Sequence, residues 1–133
     1  MGFIKKKIIY GCESRGDFDK PYLTRYIILN LKNVQLCLHI FHRSDADDLH
    51  DHPWSFISLL LWRGYNEQTP EGKSRKYPGM ILYRKANHLH RVELVNGKKA
   101  VSLVIMGKRK RAWGFTTSKG WVYWETYFKN MGC

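Results

Sequence analysis

Apolar and polar positions alternate with period two over most of this chain, the pattern of half-buried strands. "LTRYIILN" and "VQLCLHIFH" are apolar, β-branched and aromatic, and the short link between them predicts two antiparallel strands, about 23 to 30 and 34 to 42, with Asn33 left-handed in the turn. "WSFISLLLWRGY" reads as a mostly buried strand, "GKSRKYPGMILYRK" as a hairpin broken at Pro78-Gly79, and "HRVELVNGKKAVSLVIM" as two strands joined at Asn96-Gly97. "AWGFTTSKGWVYWETY" gives two aromatic strands around Ser118-Lys119-Gly120. The one helical signal is a single turn in "SDADDL", capped by Ser44. Eight to ten short strands with turn signals this regular predict an all-β sandwich or barrel.

Composition narrows the picture. With 133 residues and 44% hydrophobic content, the chain is expected to form one domain, residues 1–133, around one core. Cys12, Cys37 and Cys133 form no close pair, which suits a reducing compartment, and Cys37 reads as a small buried thiol. "MGFIKKKIIYG" has lysines where a secretory signal needs an apolar run, and Lys6 occupies the position that a myristoylation signal reserves for Ser or Thr. No stretch approaches the ~18 apolar residues of a membrane span, so the expected location is cytoplasmic, with no membrane partner. The formal net charge of +12 favours an anionic partner: nucleic acid, a nucleotide, a phosphorylated sugar or another small acid. The basic residues are spread in short runs, and no nucleic-acid-binding motif, Gly-rich phosphate loop or Ser-His-Asp arrangement accompanies them.

Candidate chemistry begins at "LHDHPW", residues 49 to 54. On a strand, residues i and i+2 face the same way, so His50 and His52 share a face and can grip one cation from one side. His88 and His90 in "ANHLHRVEL" share a parity in the same way. Asp51 then points away, as a local cap or the partner of an arginine. His39 and His42 have opposite parity on their strand, so at most one faces inward; each reads as a core residue or a support for a ligand. The aromatic segment Trp113 to Tyr127 reads as packing, with a stacking platform beside Arg91, Lys108, Arg109 and Arg111 as the sharper alternative.

At these residues the sequence resembles the cupin superfamily. His50-Asp51-His52 matches the His-x-His of its first motif and Gly64 the closing glycine; Gly79 opens the second motif and His90 falls on its histidine. The match covers about residues 50 to 94. It departs at three places: the family's glutamate falls on Ile57, its Pro-x-Gly on Lys85-x-Asn87, and its closing Asn on Leu94. The resemblance implies a jelly-roll barrel, or double-stranded β-helix, with metal ligands His50, His52 and His90 and no fourth ligand. Such a three-histidine face is similar to that of some thiol dioxygenases in the superfamily. His88 is a further ligand candidate, and Asp48 a source of a carboxylate.

Three neutral imidazoles leave two or three metal positions open, which suits Fe(II) for oxygen chemistry and Zn, Mn or Ni for Lewis-acid chemistry. The sequence therefore supports a metal-dependent oxygenase acting on a small anionic substrate, bound by Arg43, Arg63, Arg91, Trp54 and Tyr83, with Phe56 and Trp62 nearby. The alternative is a non-catalytic binding protein that captures an anionic small molecule such as a nucleotide. A sugar-phosphate isomerase or epimerase is a third reading, without a visible acid-base pair. By analogy of fold, "FIKKKIIYG" could serve as a strand swapped in a homodimer.

Overall fold

The computed structural model describes residues 4–10, 20–46 and 48–130. Cys12, Cys133, Met1-Gly2 and Asp47 of "SDADDL" lie outside the described residues. Twelve strands precede one short helix in this span: β1 Lys5–Tyr10, β2 Pro21–Asn30, β3 Gln35–Phe41, β4 Leu49–His50, β5 Phe56–Trp62, β6 Tyr65–Thr69, β7 Gly72–Lys76, β8 Ile81–Arg84, β9 Arg91–Glu93, β10 Ala100–Met106, β11 Gly114–Thr117, β12 Gly120–Tyr123 and α1 Trp124–Asn130.

One sheet has the order β1-β2-β3-β10-β5-β8. Opposite it, β12-β11-β4 and β7-β6-β9 form two three-stranded pieces, joined by an antiparallel bridge between His50 and His90. The result is a jelly roll. Alternation decides which residues fill it. Across the six-stranded sheet, Ile27, Cys37, Val104, Ser58 and Leu82 form one cross-strand row, and Arg25, His39, Ser102 and Leu60 form the next. Cys37, Val104, Phe56 and Met106 pack together in one cluster, and Leu60, Tyr65, Leu82 and Val92 in a second. Cys37 has no exposed surface, the buried thiol expected of it.

The turn signals mark where the chain reverses but not what each strand pairs with. β7 and β8 flank Pro78-Gly79 yet belong to different sheets, β7 with β6 and β8 with β5, so no hairpin forms there. Asn96 and Gly97 both adopt positive φ as a tight turn demands, but β9 pairs with β6 while β10 pairs with β3 and β5. In a jelly roll such turns carry the chain from one sheet to the other. Asn33 is not left-handed: among the described non-glycine residues only Arg63 and Asn96 have positive φ, and the longer Leu31–Val34 link closes with Leu31 N–H donating to the Val34 carbonyl at 2.8 Å. Arg63 and Gly64 are consecutive left-handed residues, and a Cβ on Gly64 would lie 2.1 Å from the Lys76 carbonyl oxygen, which is why glycine closes the motif.

Ser44 caps no helical turn. Its Oγ accepts from Leu94 N–H at 2.8 Å, and Asp45 Oδ2 accepts from Val92 N–H at 2.7 Å, so the acceptors that would cap a helix instead hold an extended segment along β9. The last aromatic stretch forms the β11–β12 hairpin as expected, but its end coils into α1 instead of extending the strand. Packing explains this short helix: Tyr127 stacks on Phe115 with centroids 3.8 Å apart, and Trp124 stacks on Trp113 at 5.8 Å. These rings therefore fill a third core cluster rather than an exposed stacking platform. Among the described residues, no helix is long and apolar enough to cross a membrane.

Candidate metal centre

Asp45 and the segment from Asp48 to His52 lie along 86–92, antiparallel to it, which brings the two histidine pairs together. His50 N–H donates to the His90 carbonyl at 2.9 Å and His90 N–H returns the bond at 3.0 Å, so the two residues are directly opposed. His52 N–H donates to the Ala86 carbonyl at 2.9 Å. The rings of His50, His52 and His90 then form a nearly equilateral triangle, with centroids 4.9, 4.9 and 4.8 Å apart.

One nitrogen from each ring lies within 4.8 Å of the other two. A cation at the usual metal–nitrogen distance of about 2.0–2.1 Å would reach all three after a small inward shift of the rings. His52 Nδ1 is buried with no hydrogen-bond partner among the described residues, a costly state for an imidazole unless something else takes its lone pair. Burial, followed by the neighbouring His50, His90, His88 and Arg111, holds the His52 ring well below its ordinary pKa. The neutral ring is the form that ligates. The site thus fits a divalent cation.

Glu67 on β6, missed in the sequence, anchors this centre. It is 1% exposed and accepts from His90 Nδ1 at 2.7 Å, Arg84 Nε at 2.9 Å and Arg84 Nη2 at 2.5 Å, with His88 Nε2 at 3.4 Å. Burial raises the carboxyl's pKa, but the hydrogen bonds from His90 and Arg84 outweigh it and keep Glu67 ionised. Its grip on Nδ1–H leaves the lone pair of His90 Nε2 available to a cation, the carboxylate–histidine arrangement of many metal sites. Ile57, where motif counting put the glutamate, is 40% exposed on the outer face of β5. Glu67 also forms a second carboxylate–histidine group with His88 and His90. His88 therefore faces Glu67, and burial, then His90, lowers its pKa.

Asp48 does not join the trio. Its Oδ2 accepts from Tyr127 Oη at 3.0 Å, tying the loop to α1. The carboxylate beside the histidines is Asp45, whose Oδ2 lies 3.8 Å from His50 Nε2 and whose Oδ1 accepts from the Tyr22 hydroxyl. Asp51 faces away, as its parity predicts: Gly114 N–H and Trp121 Nε1 donate to it at 2.8 and 3.0 Å, and Arg111 pairs with it at 2.7 Å.

The histidine trio opens into a cavity of about 130 Å³, walled by Trp54, Phe56, Val104 and Met106 among others. Of the five expected substrate residues only Trp54 lines it. Tyr83 is 58% exposed on the outer sheet face, and Arg43 is exposed. Arg63 turns its Nε to the Lys99 carbonyl, and Arg91 bonds the Ala46 carbonyl and Glu93. Arg63 and Arg91 lie at a turn and a strand end, where backbone carbonyls and Glu93 claim them. The guanidinium that does line the cavity belongs to Arg25, which donates from Nε to His39 Nε2 at 3.0 Å. His39 faces inward, its pKa pushed down to about 3 by burial and then by the Arg25 charge. His42 bonds Thr24 Oγ1 at 2.7 Å and orients no ligand.

No family model matches the chain, and no curated protein matches it. Solved structures do. A cupin-2 domain protein, Rru_A2000 from Rhodospirillum rubrum, superposes with a TM-score of 0.70 at 9% identity, over 88% of this chain and 78% of that one. The polyketide cyclase RemF from Streptomyces resistomycificus gives 0.68 at 13% identity, over 86% and 80%. The DMSP lyase DddQ from Ruegeria pomeroyi gives 0.66 at 14% identity, over 88% and 63%. At these identities the likeness establishes the cupin fold.

Proposed function

We propose that this protein is a metal-dependent enzyme, a non-haem iron oxygenase acting on a small anionic substrate. The observation that carries the reading is the triangle of His50, His52 and His90 facing one cavity, with His52 Nδ1 buried and without a hydrogen-bond partner among the described residues. Bound there, Fe(II) would supply oxygen activation with open positions for O2 and substrate, whereas Zn, Mn or Ni would supply Lewis acidity.

The chain's own residues have separable roles. Glu67 holds the proton on His90 Nδ1 and fixes the plane of that ring. Phe56, Val104 and Met106 keep the surroundings apolar, which strengthens every charge interaction inside. A cavity of this volume takes a compact acid more readily than a nucleotide.

Activity separates the metal chemistries. Protein loaded anaerobically with Fe(II) is expected to consume O2 in the presence of one member of a panel of small carboxylic acids, and to lose this on His90→Ala. The cyclase and the lyase among the similar folds show why a second arm is needed: turnover by the zinc, manganese or nickel forms without O2 uptake would overturn the oxygenase reading. No turnover with any metal would favour capture of a small anion without catalysis.

A further inference from the structure

Arg25 is an anomaly in its strand. It lies on β2 between Leu23 and Ile27, on the apolar face of the sheet, where a cation must be paired to be tolerated. Its cross-strand neighbour is His39, which accepts from Nε but brings no charge, because burial keeps that ring neutral. Among the described residues no carboxylate pairs with Arg25. Asp45, the acid on the same cavity wall, is committed to Val92 N–H and the Tyr22 hydroxyl. Desolvation accordingly lowers the Arg25 pKa, the mark of a cation held away from water without a full counter-charge.

Resting on the metal reading above, we infer that Arg25 is the anion receptor of the cavity and that the ligand is a compact monocarboxylate, gripped by the guanidinium while its other end faces His50, His52 and His90. With Nε donating to His39, the Nη1 and Nη2 edge is left for two parallel hydrogen bonds, the geometry that a carboxylate matches. Size sets the rest. About 130 Å³ is slightly less than a dry protein cavity of about 150 Å³ that holds benzene, so the enclosed part of the ligand has about six non-hydrogen atoms. That leaves room for a carboxylate, a short chain and one oxygen, sulfur or nitrogen atom facing the metal. Since the arginine meets the ligand from the sheet opposite the histidines, it selects for chain length as well as charge.

The test is calorimetric titration of the zinc-loaded protein, which is redox-silent, with lactate, pyruvate and mercaptoacetate, and with lactamide as the uncharged isostere. Metal content is measured on every sample, and the titrations are repeated on metal-free protein. At least one acid is expected to bind, with lactamide weaker by about tenfold or more. Arg25→Gln should weaken the acid by about tenfold to a hundredfold while retaining its metal. Arg25→Lys, which keeps the charge but not the fork, should fall between and guards against loss of folding in the glutamine variant. Equal binding of acid and amide, unchanged binding in both Arg25 variants, or no acid binding to fully metallated protein would overturn the inference and leave the metal reading intact. Wild-type protein that holds no metal yet binds the acid through Arg25 would overturn the metal reading alone.

Discussion

Replacing Glu67 by glutamine removes one negative charge from the interior while preserving shape. The side chain is 2% exposed and that of its partner Arg84 17%, so water screens the pair little and the full consequence of breaking it should appear. Three charge-assisted donors, Arg84 Nε, Arg84 Nη2 and His90 Nδ1, lose their ionised acceptor, and the guanidinium is left buried without a counter-charge. Breaking a buried pair from one side costs about 3–5 kcal/mol. Urea unfolding of the metal-free protein should show this loss in Glu67→Gln. The double variant Glu67→Gln, Arg84→Met should recover part of it, because the stranded cation is gone too. Metal affinity should fall independently by about 10- to 100-fold through the loosened His90 ring. A metal-free Glu67→Gln protein within about 1 kcal/mol of wild type, or a double variant less stable than the single by the full additive amount, would refute the argument that Glu67 is held ionised as the hub of these contacts.

Stability should also depend on pH through His39. Its folded pKa of about 3 lies below the ordinary value of about 6.5, so the unfolded chain binds the extra proton between those limits. This contribution is complete above pH 6.5 and is lost as pH falls towards 3, the loss reaching about 2 kcal/mol at pH 5. Chemical denaturation across that range should be steeper for wild type than for His39→Gln; equal slopes would contradict a neutral buried ring. Asp51→Ala strands the Gly114 N–H and frees Arg111, and should cost about 1–3 kcal/mol in thermal or urea unfolding; no loss would mean the anchor between the His-x-His segment and β11 contributes nothing. Asp48→Asn should leave metal content unchanged in elemental analysis, since its partner is Tyr127; a drop would restore Asp48 as a ligand.

Much of the architecture and part of the site were legible in the residues. Period-two alternation marked the strands, and parity made partners of His50 with His52 and put Asp51 on the other face. What alternation does not encode is which strand lies beside which, so the reversals at Pro78-Gly79 and Asn96-Gly97 read as hairpins although they carry the chain between sheets. Glu67 escaped because motif counting fixed attention on Ile57. A signal existed: in "YNEQT" the glutamate shares the parity of buried Tyr65, directly after a glycine turn. Arg25 left a similar trace, a lone cation in step with Leu23 and Ile27. Arg43, Arg63 and Arg91 are close to the motif in sequence, whereas much of the cavity wall comes from β2, β3 and β10, strands that lie outside the stretch carrying the motif. Helix α1 left no periodic trace, being only seven residues long and formed by packing on Phe115 and Trp113.

The central claim is that His50, His52 and His90 hold a metal ion, and metal stoichiometry tests it most directly. Untagged protein purified anaerobically should carry about one iron per chain, and the His50→Ala, His52→Ala double variant essentially none while remaining folded by circular dichroism. Wild-type protein that takes up no divalent metal, even when iron, zinc, manganese and nickel are each supplied in excess, would contradict it.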